Sequence, residues 1–161
     1  MTIKKNTTAA LPVLLFTVFA ACGPGYFFEE NKPIAGGQWA YADTLDFRFT
    51  IEDTLETYNM YLEFEYADTF STQNMYLKLH TRFPDGKRLG KQKSFDLFSP
   101  EGQPLGKCSG GNCRLQVVLQ ERAFFNQRGE YTITLEQFTR SNPLPGVLSV
   151  GLTLEATGVR R

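Results

Sequence analysis

Cysteines are the residues of this chain best equipped for chemistry, and the first of the three stands in the most informative place. Cys22 closes the run Phe19-Ala20-Ala21-Cys22 behind an apolar stretch from Ala9 to Ala21, which itself follows Lys4 and Lys5. A basic head, an apolar stretch and small residues before a cleavage point make a secretory signal rather than a fold element. A spanning helix needs about 20 apolar residues; this stretch is shorter and carries Pro12. A cysteine directly after two alanines separates bacterial lipoprotein processing from ordinary cleavage, because its thiol takes a diacylglycerol and its freed amine becomes the new N-terminus. One acyl chain, at roughly 0.8 kcal/mol per buried methylene, binds a bilayer reversibly, whereas several palmitate-like chains anchor stably. Phe19 stands where leucine is commonest, and an ordinarily cleaved secreted protein is the alternative.

The other two cysteines, Cys108 and Cys113, flank Ser109-Gly110-Gly111-Asn112, a turn sequence that brings the thiols together. Export makes a disulfide chemically possible, and so short a loop makes it a local staple of about 2 kcal/mol. A redox pair usually has two intervening residues, and zinc wants four ligands where His80 is the one histidine. No other constellation rises above background. His80 has no serine nucleophile or second histidine near it in sequence. Glu63 with Glu65, or Asp43 with Asp46, could serve glycoside hydrolysis but read more simply as polar faces of strands. A phosphate-cradling glycine loop needs a helix after it, and a calcium loop needs alternate acidic ligands around a glycine; neither pattern occurs. The expectation is a non-enzyme with no cofactor, no metal and no small-molecule substrate.

The elements that must carry these residues are strands. Cleavage after Ala21 leaves about 140 residues, the usual size of one domain. The full chain has 17 basic and 17 acidic residues; loss of Lys4 and Lys5 brings the net charge to −2 with no basic block. That excludes nucleic acid and electrostatic membrane binding as functions. Residues 1–21 are the expected signal and residues 22–37 a lipidated tether, rich in glycine with Pro24 and Pro33, whose 15 or so extended residues would reach on the order of 50 Å. Tyr26, Phe27 and Phe28 lie inside it and are expected to dock on the domain, residues 38–161.

Within that domain, apolar residues alternate with period two: Leu45 to Ile51, Tyr58 to Tyr66, Met75 to Leu79 with Phe83, Leu115 to Leu119, Tyr131 to Leu135, and Leu148 to Leu154. A shorter strand is expected over Ser94–Phe98, and a brief helical turn over Glu121–Gln127. Turn signals at Pro84-Asp85-Gly86, Pro100-Glu101-Gly102, Arg128-Gly129 and Asn142-Pro143 separate the series, with Gly86 and Gly90 assigned to a hairpin connection. Seven or eight strands with one apolar face each predict an all-β, antiparallel two-sheet sandwich, jelly-roll-like, with a closed barrel as runner-up.

Behind the signal, the order of short elements resembles the gliding-motility lipoprotein GldH family over nearly the whole mature domain. The elements are Trp39, Tyr58-Asn59, Asn74-Met75-Tyr76-Leu77, Phe83-Pro84-Asp85-Gly86, Leu105-Gly106-Lys107, Phe124, Gly129-Glu130-Tyr131, Glu136-Gln137-Phe138 with Arg140, Leu144-Pro145-Gly146-Val147, Val150-Gly151-Leu152 and Glu155. Pro104 departs from the aromatic that usually precedes Leu-Gly, and the Cys108–Cys113 loop is peculiar to this chain. The resemblance implies an outer-membrane lipoprotein, anchored through acylated Cys22, that works with other motility or secretion-machinery proteins and carries no catalytic residues. The domain would face either the periplasm or the exterior.

Two further readings compete with that interaction module. A surface carbohydrate-binding lipoprotein would stack sugars on outward aromatics, for which Tyr61 and Tyr76 are the candidates, placed on neighbouring strands; such residues are also ordinary cross-strand packing pairs. A hydrolase would need catalytic residues that the sequence does not supply.

Overall fold

The computed structural model describes residues 26–161; the expected signal, Cys22 and the first tether residues lie outside the described residues. Eight long strands carry the fold: β1 (Tyr26–Pro33), β3 (Leu45–Ile51), β4 (Glu56–Ala67), β5 (Asn74–Arg82), β6 (Arg88–Asp96), β8 (Asn112–Phe124), β9 (Gly129–Gln137) and β11 (Val147–Arg160). Three short ones, β2 (Gln38–Trp39), β7 (Lys107–Ser109) and β10 (Leu144–Pro145), complete it. A five-stranded antiparallel sheet runs β1-β11-β4-β8-β7, a four-stranded one runs β3-β9-β5-β6, and β10 pairs with β2.

The period-two series explains the stacking of the two sheets. Phe47, Leu62, Phe64, Tyr66, Met75, Leu77, Tyr131, Leu135, Leu152 and Leu154 are buried on inward faces, and removing such side chains from water drives assembly at about 1.5–3 kcal/mol each. Aromatic rings join the layers: Phe28 of β1 lies 5.4 Å from Phe49 of β3, and Phe64 of β4 lies 5.2 Å from Phe95 of β6. The expected sandwich is therefore the observed architecture, and the sheets do not close into a barrel.

Several expectations need correction. Tyr26–Pro33 is an edge strand, not tether: it pairs with β11 from Tyr26↔Glu155 to Pro33↔Ser149. Its partner lies at the far end of the sequence, so local pattern could not reveal it. The strand expected at Ser94–Phe98 begins at Arg88, and Gly90 sits inside it, opposite His80. No helical turn forms over Glu121–Gln127; β8 runs on to Phe124 through an irregular register and a positive φ of 48° at Arg122, whose N–H reaches the Asn59 side chain. Near the start of β11 the register shifts between Val147 and Ser149, so Val147 rather than Leu148 enters the core.

Candidate functional site

The outer face of the four-stranded sheet has the most differentiated surface chemistry of the described residues. Its register builds rows across the strands. One row sets Arg48 beside Thr132, Arg82 and Arg88; the next sets Asp46 beside Thr134, His80 and Gly90; then come Glu136, Lys78 and Gln92. At the far end Tyr76 lies opposite Ser94, and the Phe138 N–H donates to the Tyr76 carbonyl. Because strand parity points every second residue outward, the sheet displays a graded surface: arginines at one end, histidine and carboxylates in the middle, aromatics at the other.

The middle of this face is a notch of about 230 Å³ lined by Asp46, Arg48, His80, Arg82, Arg88 and Glu136 with two threonines. Gly90 makes room for the imidazole: a Cβ there would stand 3.3 Å from His80 Nδ1. His80 Nε2 lies 3.5 Å from Glu136 Oε1, yet it is buried and makes no hydrogen bond within the described protein. Thr134 donates to Asp46 at 2.6 Å, and Asp46 also faces Arg48 at 3.8 Å. Arg82 and Arg88 form no ion pair among the described residues, which leaves two guanidinium groups free for carboxylate or phosphate partners.

At the aromatic end Tyr76 is 48% and Phe138 46% exposed. Lys78 Nζ sits 4.1 Å from the Phe138 ring centroid, and Tyr41, also exposed, donates its hydroxyl to the Thr139 carbonyl nearby. Exposed aromatics and arginines, here at opposite ends of one face, are the residue types that dominate binding energy at protein interfaces. The arrangement offers recognition of a mixed apolar and anionic surface.

Other sequence-chosen residues lie elsewhere. Tyr61 and Tyr76 are not on neighbouring strands: β4 belongs to the five-stranded sheet and β5 to the four-stranded one, so the two tyrosines occupy opposite outer faces and cannot share a ligand. Tyr61 is half-buried, donates to Glu155 at 3.2 Å, and has its phenol pushed above the ordinary value first by desolvation and then by that carboxylate. Arg114 lies between Glu63 and Glu65 on the same face, at 3.6 and 3.5 Å. Cys108 and Cys113 are joined by a disulfide across the β7–β8 hairpin, directly opposite in register, with Cys113 buried and Cys108 exposed. That staple sits on the edge of the five-stranded sheet, far from the graded face in topology. Arg140 follows Phe138 in an exposed loop. Phe138, Arg82 and Arg88 had not been singled out as contacts, although the outward parity of β9 and β5 was enough to find the first two.

Comparison with known proteins adds an independent line. Residues 26–154 match the GldH lipoprotein family. A gliding motility lipoprotein GldH homolog of Christiangramia forsetii is 22% identical over 152 residues, covering 89% of this chain and 93% of that protein. Among solved structures, a carbohydrate-binding module specific for non-crystalline cellulose is similar at 16% identity and a TM-score of 0.42, covering 82% of this chain and 74% of its own. A family 35 carbohydrate-binding module from Clostridium thermocellum overlaps at 14% identity and a TM-score of 0.37, over 79% and 88% of the two chains. The family match spans most of the chain and every long strand from Tyr26 into β11; the chain belongs to the GldH lipoprotein family.

Proposed function

We propose that the protein is a lipid-anchored outer-membrane component of the gliding-motility machinery and its associated secretion system, acting by binding rather than catalysis. The observation that carries this reading is the graded outer face of the four-stranded sheet, where Tyr76 and Phe138 border one end of a charged notch. In this reading the face docks a protein of that assembly, with the aromatics as anchors and Arg82 and Arg88 meeting carboxylates. Because β1 begins at Tyr26, only Gly23, Pro24 and Gly25 separate the strand from Cys22, and the four residue steps reach at most roughly 13 Å. The acylated cysteine therefore holds the sandwich close against its membrane.

A Cys22→Ala chain is expected to fold normally, to leave the membrane fraction, and to fail to restore surface spreading or adhesin secretion in cells lacking the gene. Full restoration by the soluble chain would rule out a tethered mode of action. The adjacent aromatics Tyr76 and Phe138 favour one second reading, a sugar-stacking surface; glycan-array binding that vanishes with Tyr76→Ala would select it over a protein partner.

A further inference from the structure

The sandwich is open along one side, between the edge of β6 and the free edge of β8. Three-residue β7 covers β8 only from Asn112 to Arg114, so the rest of that strand has no outer neighbour. Its inward series, Leu115, Val117 and Leu119, stays half-buried where the inward series of β3, β4 and β9 are buried. The facing inward positions of β6 are Leu89, Lys91 and Lys93, all exposed. Between the two edges lies a cleft of about 470 Å³, within the range of roughly 300–1,000 Å³ of small-molecule sites.

Its lining is mostly apolar with a cationic edge. Met60, Leu79, Ile133 and Phe125 form an apolar floor, Leu119 forms one wall, and among the described residues Lys91 and Lys93 are the only charged ones that line it, with no acid paired to either. Lys93 spans the mouth, its Nζ 3.4 Å from the Leu119 carbonyl of the opposite sheet. An apolar slot whose rim carries two lysines among neutral polar residues, Thr81, Gln92 and Gln120, is complementary to an amphiphile bearing a negative head.

We propose that this cleft binds a long-chain acyl carboxylate, with the tail on the Met60, Leu79, Ile133 and Phe125 floor and the carboxylate on Lys91 and Lys93. Its position suits a ligand delivered from a bilayer. The ring of Phe125 lies 5.7 Å from Tyr58, and Tyr58 lies 4.8 Å from Phe27, so the cleft ends near the strand that leads back to residue 22. Exposed Phe124, beneath the Arg161 guanidinium at 4.7 Å, marks the same end. That delivery rests on acylation of Cys22; binding in solution does not. Inward lysines on an edge strand also block edge-to-edge pairing, a role that predicts no ligand.

The test is titration of the full chain carrying Cys22→Ala, which has no acyl chain of its own to compete, with the fluorescent fatty acid parinarate and with its methyl ester. Saturable one-to-one binding of the acid is expected. Lys91→Glu with Lys93→Glu, at exposed positions, should weaken the acid by about tenfold or more and leave the ester unchanged. Leu119→Trp, which fills the slot, should weaken both. Absence of saturable binding overturns the proposal, as does equal affinity in the parent and both variants, the outcome expected of edge protection alone or of binding to another part of the chain. An ester that binds as tightly as the acid overturns the role of the lysines.

Discussion

Trp39→Ala is expected to lower the stability of the domain by about 3–5 kcal/mol, the range for deleting a large buried aromatic. The indole is fully buried, and its N–H donates to the Asp43 carbonyl at 2.6 Å. The two-residue strand that carries it pairs with no strand but β10 among the described residues, through Leu144↔Trp39 and Pro145↔Gln38. Gln137 closes the knot: its Nε2 donates to the carbonyls of Trp39 and Ser141 at 3.2 and 3.1 Å, while its Oε1 accepts from the Thr139 N–H and hydroxyl at 2.9 and 2.7 Å. All four hydrogen-bonding places of that buried amide are filled, so losing the ring beside it also unsettles a satisfied polar group. A typical domain has only about 5–15 kcal/mol of stability, and urea unfolding should show a midpoint shift to match. A Trp39→Ala chain within about 1 kcal/mol of the parent would contradict the assignment of Trp39 as a core anchor.

The second large effect is expected at Gly106, where no side chain fits. A Cβ would stand 2.7 Å from the Arg114 carbonyl oxygen, 2.9 Å from its carbon and 3.0 Å from the Tyr66 hydroxyl. Tyr66 is fully buried, donates to the Leu97 carbonyl at 2.8 Å and accepts from the Gly106 N–H at 3.1 Å. That one hydroxyl ties the loop between β6 and β7 to β4, and burial pushes its phenol above the ordinary value, keeping it a donor. Gly106→Ala is expected to cost about 1–3 kcal/mol through overpacking, and displacement of the hydroxyl breaks its bonds to the Gly106 N–H and to the Leu97 carbonyl, which keeps the Leu105 N–H, at about 0.5–1.5 kcal/mol each. Tyr66→Phe removes the second part alone. In a double-mutant cycle the two changes should be strongly non-additive; additive losses would show that Gly106 and Tyr66 act independently.

How much of this was legible depended on whether a residue's partner was local. The series Leu45, Phe47, Phe49 and Ile51 and the series Tyr58 to Tyr66 placed β3 and β4 within a residue or two, because one buried face forces strict alternation. Edge strands broke the rule. In β6 the inward positions hold Lys91 and Lys93, so alternation vanished over its first half, and only the end bearing Phe95 was visible. β1 is an edge strand whose buried contacts begin at Phe28 and whose partner β11 lies more than a hundred residues away. Sheet membership was hidden for a similar reason. β4 and β5 are consecutive but cross from one sheet to the other, so adjacency in sequence misplaced Tyr61 beside Tyr76. In the candidate site, Tyr76 and His80 were recognisable as outward residues; the row of Arg48, Arg82 and Arg88 required the register of three separate pairings.

The central claim is that the outer face of the four-stranded sheet contacts a protein partner at the membrane. Site-specific photocrosslinking in living cells tests it most directly, with a photoreactive residue in place of Tyr76 on that face and, separately, of Tyr61 on the opposite face. A discrete adduct with another membrane-associated protein from position 76, and none from position 61, is the predicted result. An adduct from position 61 alone, or none from position 76 in cells that still spread and secrete, would contradict it.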